Sequence, residues 1–65
     1  MPIIHANILA GRTSEQKQAF ARAVTAAATE HLGVPLSAVR VLIHEVPAAE
    51  WFTAGEPKEP PAGST

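Results

Sequence analysis

Four positions in this chain carry groups suited to handling a small anion and its protons: Pro2, Arg12, Arg40 and Trp51. The sequence opens Met1-Pro2-Ile3-Ile4, and an initiator methionine standing before a small residue such as proline is ordinarily removed. With Met1 gone, Pro2 presents a secondary amine that has no amide resonance and can take a proton or attack a carbonyl. A free α-amine titrates near pH ~8. Burial or neighbouring cations push such an amine down toward the range where a general base works well. A plainer role is also open, because proline often occupies the first residue of an edge strand.

Arg40 lies between Val39 and Val41 in a run that reads as a strand. A cation there needs a partner, since an unpaired buried charge is costly. It could pair with Glu45 or Glu50 or sit exposed at the sheet edge. Alternatively it awaits a ligand anion, because a guanidinium grips a carboxylate with two parallel donors. Arg12 falls in a strand-to-helix loop beside free helix amides, a setting that favours anions; a solvated loop charge is the ordinary alternative. Trp51 either packs at an interface or walls a pocket against water. His5 and His44 fall on facing strands of the expected unit, and His31 suits the negative end of a helix. None of the three is assigned a catalytic role, and no metal site is expected.

The elements that must position these groups follow from local signals. Residues 2–9 alternate loosely, with Ile4, Ala6 and Ile8 on one side and Ile3, His5, Asn7 and Leu9 on the other, as in a strand covered on both faces. Gly11 supplies a turn. Thr13-x-x-Gln16 is a capping box, Glu15 complements the helix dipole, and Phe20, Val24, Ala27, Ala28 and Leu32 recur at helical spacing. Gly33 offers a stop and Pro35 forbids continuation. The spacing predicts a helix from about Ser14 to Leu32, on the order of 28 Å long. The β-branched run 39–46 predicts a second strand of roughly 27 Å. A strand, a helix and a strand of matching length make a right-handed crossover with parallel strands. Residues Trp51 to Gly55 suggest a short turn or hairpin. The domain is expected to span 2–56, with 57–65 a flexible proline-rich tail.

Sixty-five residues make one small domain, which as a monomer buries only about 60% of the surface its unfolded chain exposes. Domains of this size usually need a disulfide, a metal or partner subunits. The chain has no cysteine, so disulfides and thiolate sites are excluded. Two strands alone do not form a stable sheet, which leaves oligomerisation. The five cations are scattered, unlike the clustered basic face of a nucleic-acid binder. No run is long enough to cross a bilayer, and no secretory signal is apparent. A cytoplasmic protein is expected.

The N-terminal proline, Ile8-Leu9-Ala10-Gly11-Arg12, Ser14-Glu15-Gln16-Lys17, Val39-Arg40-Val41 through Glu45 and the late aromatic occur in an order and at spacings that resemble the 4-oxalocrotonate tautomerase family. The similarity covers approximately residues 2 to 56. It implies an α/β (α+β) fold of one βαβ unit with a short C-terminal hairpin, completed by oligomerisation into a homohexamer, a trimer of dimers. It implies a cofactor-free isomerase of aromatic-catabolism type that converts small 2-hydroxy-dienoates to 2-oxo acids. Pro2 would be the general base, with Arg12 and Arg40 reaching the site from neighbouring subunits and Leu9 and Trp51 touching substrate. Alternatives on the same fold are a hydratase, dehalogenase or decarboxylase working through Pro2, or a non-catalytic oligomeric ligand binder. The sequence departs from the family pattern at Phe52-Thr53-Ala54-Gly55-Glu56, where a glycine-rich segment is usual, and in the tail. Thr53 stands about where dehalogenating or hydrating relatives use an acidic residue to activate water, which argues against hydration, while Glu50 and Glu56 close by in sequence keep that alternative open.

Overall fold

The structure is a computed structural model that describes residues 1–58. Strand β1 runs Ile3–Leu9, helix α1 Ser14–Leu32 and strand β2 Arg40–Val46. Short 3₁₀ turns occupy Leu36–Ala38 and Ala48–Glu50, and a hairpin of β3, Phe52–Thr53, and β4, Glu56–Pro57, follows. β1 and β2 pair in parallel with Ile3 opposite Arg40 and Leu9 opposite Val46. The ladder continues past both ends: the Arg40 amide donates to the Pro2 carbonyl at 3.0 Å, and the Ala10 amide to the Val46 carbonyl at 2.9 Å.

Helix α1 is set by its own ends. The Thr13 hydroxyl accepts the Gln16 amide at 3.1 Å and the Gln16 side chain accepts the Thr13 amide at 2.9 Å, so two otherwise orphaned donors are satisfied reciprocally. At the other end Gly33 takes a left-handed conformation, φ 69°, and its amide donates to the Thr29 carbonyl. A side chain there would be strained, which is why glycine stops the helix.

What α1 and the sheet do not make together is a core. Among the described residues Ala28 alone is buried, at 7% exposure. Ile4, Ala6 and Ile8 of β1, Val41 and Ile43 of β2, and Ala21, Val24 and Thr25 of α1 are half-buried. Of the helix residues expected to face inward, Val24 and Ala28 do. Phe20 and Leu32 stay 45% and 62% exposed, and Ala27 is exposed too. Two strands are too narrow to cover a broad apolar stripe, so its flanks are left bare. The opposite sheet face carries Ile3, 57% exposed, and Leu42, 45% exposed, with no described element over it. The radius of gyration is 15.4 Å, against about 11 Å for a compact chain of this length.

The hairpin extends through Pro57, opposite Phe52, and the Lys58 amide donates to the Trp51 carbonyl at 2.8 Å. Structured chain therefore runs past residue 56, where the domain boundary was expected, and the tail from residue 59 lies outside the described residues. No helix among the described residues is long and apolar enough to cross a membrane.

Because α1 depends on its capping box, Thr13→Ala should lower stability by about 1 kcal/mol. Urea unfolding at fixed protein concentration measures this; an unchanged midpoint would mean that packing alone holds the helix start.

Candidate active site

The expected site residues divide between the two ends of the sheet. Pro2 and Arg40 meet at the end where both strands begin, joined by the amide-to-carbonyl bond of 3.0 Å. Leu9, Arg12 and Trp51 belong to the end where both strands finish. Six residue steps along β1 put about 20 Å between the two ends. A single chain thus does not bring Pro2 and Arg12 together.

Pro2 is half-buried at the head of β1. A proline at this position removes no ladder donor that the fold uses, since its carbonyl alone is engaged. Arg40 is exposed, and its guanidinium folds back on the preceding loop, where Nη1 donates to the Ser37 carbonyl at 2.7 Å and to that of Val39 at 3.4 Å. Both contacts use one nitrogen, so Nη2 and Nε have no partner among the described residues. That leaves one edge of the fork open to a carboxylate. The ion pair with Glu45 or Glu50 that could have neutralised Arg40 does not form. Glu45 is taken by Lys17 of α1, at 3.0 Å.

At the other end Arg12 lines a cleft of about 220 Å³ with Ile8, Gln16, Lys17 and Phe20. Gln16 is committed to the Thr13 amide and Lys17 to Glu45. Arg12 is thereby the cleft's one cation without a partner among the described residues. Trp51, half-buried, closes the turn Ala48–Glu50 through its amide and receives the Lys58 amide on its carbonyl. The hairpin behind it turns at Ala54 and Gly55, both at positive φ, 55° and 84°. An alanine there is strained by roughly 1 kcal/mol, and such a two-residue turn normally favours asparagine or glycine.

Sequence reasoning did not single out Ile8, Phe20 or the Lys17–Glu45 pair as neighbours of Arg12. The pair follows from register: Glu45 lies opposite Ile8, on the side of the sheet that faces the start of α1. His5 and His44 do approach, their rings stacked with centroids 5.7 Å apart. Among the described residues no three His, Cys, Asp or Glu side chains gather where they could hold a metal ion.

The model of the tautomerase enzyme family matches residues 2–60 of this chain. A probable tautomerase of Ralstonia nicotianae is 48% identical over 98% of this chain and 97% of its own length. The 2-hydroxymuconate tautomerase of Comamonas testosteroni is 46% identical, over 85% of this chain and 87% of its own. Among solved structures, a heterohexameric 4-oxalocrotonate tautomerase from Chloroflexus aurantiacus superposes with a TM-score of 0.84 at 41% identity, covering 89% of this chain and 94% of that one.

The pairing of Lys17 with Glu45 gives the Arg12 cleft a latent second cation. Glu45→Gln should release it, raising the affinity for a small dicarboxylate such as fumarate several-fold in titration calorimetry. The same substitution should change stability by less than about 1 kcal/mol, since the pair is partly exposed. Unchanged fumarate affinity would place Lys17 out of the cleft's reach.

Proposed function

The chain belongs to the tautomerase family, and from that premise we propose that it interconverts enol and keto forms of small 2-oxo acids, with Pro2 as the general base. The observation that carries this reading is the placement of Pro2: its carbonyl serves the β-ladder, so the fold makes no demand on its nitrogen. With Met1 attached that nitrogen is a tertiary amide and inert. With Met1 removed it is a secondary amine.

Two cations and an apolar wall all disfavour the protonated amine, which keeps it available as a base. The Pro2 nitrogen takes the proton from the 2-hydroxyl of a conjugated dienol acid. Electron density moves along the conjugated chain, and the same proton is returned to a carbon further on, giving the conjugated ketone. Arg40 holds the 2-oxygen and the adjacent carboxylate as charge develops there. Arg12 grips the far carboxylate, while Leu9 and Trp51 exclude water. No cofactor takes part.

Because one chain does not bring Pro2 and Arg12 together, the working site joins Pro2 of one copy to Arg12 and Arg40 reaching in from neighbouring copies, with Trp51 lining it. A homohexamer, a trimer of dimers, supplies that arrangement and is supported by the hexameric relative. The name of the Comamonas relative supports a 2-hydroxymuconate-like substrate; a cytoplasmic place in aromatic catabolism belongs to the same proposal. A second reading, hydration or dehalogenation through Pro2, is favoured by the hairpin register, which sets Glu56 opposite Thr53 near Trp51.

Protein whose free Pro2 has been verified by intact mass should ketonise phenylenolpyruvate at a rate that rises with pH through the titration of one amine. Pro2→Ala, or retention of Met1, should reduce kcat/KM by at least about 100-fold. A flat profile in correctly processed protein indicates a ligand binder, and turnover of 3-haloacrylates at a comparable rate selects the second reading. Arg12→Ala should depress kcat/KM more for 2-hydroxymuconate than for the monoacid phenylenolpyruvate; equal losses contradict a carboxylate-gripping role.

A further inference from the structure

The face of the sheet turned away from α1 carries two imidazoles that the proposed chemistry does not use. His5 stands opposite Leu42, and Asn7 opposite His44, so His5 and His44 are diagonal neighbours on one surface. Their rings lie 5.7 Å apart at an interplanar angle of 24°. Around them stand Ile3 and Leu42, both large, apolar and exposed.

The occupant best suited to this face is a second copy of the chain. Only Ala28 is buried among the described residues, and a two-stranded sheet does not stand alone in water. Relatives of this length include a hexamer. An apolar sheet face packed on another loses its water, and whatever charge it carries must be paired or shed.

Imidazole is the side chain whose charge ordinarily changes between pH 5 and 8. In the separate chain both rings face solvent. Covered by a second copy, two imidazolium ions in a dry contact would face each other with no anion between them. The charged groups nearby offer no relief. Arg40, on the same face at its first position, adds another cation, and Glu45 is turned to the helix side, held by Lys17. Asn7 is neutral, and no described element packs over the pair.

We infer that the stacked His5–His44 pair makes self-association through this sheet face weaken as pH falls, so that acidification separates the copies. The separate chain binds more protons than the assembled one, so association releases protons and is favoured at higher pH. Each imidazole that must remain neutral weakens the association constant about tenfold per pH unit below its titration range. For two chains meeting face to face, one neutral ring per pair gives a loss on the order of 100-fold per pH unit, and two give on the order of 10⁴-fold.

Sedimentation equilibrium of the full chain from pH 8 to pH 5, at constant ionic strength, tests this. The wild type should pass from a high-order assembly to smaller species below about pH 6.5, while the His5→Gln/His44→Gln double variant stays assembled to pH 5. Wild-type protein that holds its assembly throughout, or a double variant that dissociates at the same pH, overturns the inference. Should the double variant not assemble at pH 8, dilution calorimetry of the wild type at pH 6 in buffers of different ionisation heat decides it. Proton uptake on dissociation is expected, and none refutes it. Both measurements read assembly rather than turnover, so their outcome is separate from the titration of Pro2.

Discussion

The structure depends on a shortage of covering surface. Among the described residues one helix and two strands bury a single alanine. Folding a residue into one backbone conformation costs about 1–2 kcal/mol, and small half-buried side chains do not offset that across the described length. The bare flanks of α1 at Phe20 and Leu32, and the open sheet face at Ile3 and Leu42, are where the missing burial must come from. In the proposed oligomer association is in this sense part of folding, and stability is inseparable from protomer concentration.

The same shortage explains the layout of the candidate site. A parallel ladder gathers both strand starts at one end and both finishes at the other, so the residues that resemble a catalytic set are held apart by the length of β1. Each end nonetheless carries a usable half. Arg40 keeps one edge of its guanidinium free while the other rests on loop carbonyls. Arg12 is left alone in its cleft because Lys17 and Gln16 are already committed. Membership of the tautomerase family fits halves of this kind, which the proposed site joins across copies.

Local chemistry made much of this legible from the residues alone. The capping box at Thr13 and Gln16, the left-handed Gly33 and the β-branched run through Ile43 act within a few residues of themselves, so α1 and β2 could be drawn almost to their ends. The inward face of the helix was less readable. Phe20, Ala27 and Leu32 have helical spacing but lie beyond what two strands can cover, and spacing does not reveal how wide the opposing surface is. The partner of Glu45 was equally hidden, because the choice between Arg40 and Lys17 rests on which side of the sheet the carboxylate faces. Pro57 reads as a breaker and yet pairs with Phe52 in β4, since proline is tolerated where its nitrogen is not asked to donate.

That last property has its fullest expression at the head of β1. Pro2 enters the ladder as an acceptor only, through its carbonyl, so residues added in front of it disturb no backbone bond seen here. A chain carrying an N-terminal extension can therefore keep the backbone pairing of β1 and β2 while presenting no secondary amine. Tests of integrity that see only the fold of the single chain are blind to whether that nitrogen is an amide or an amine.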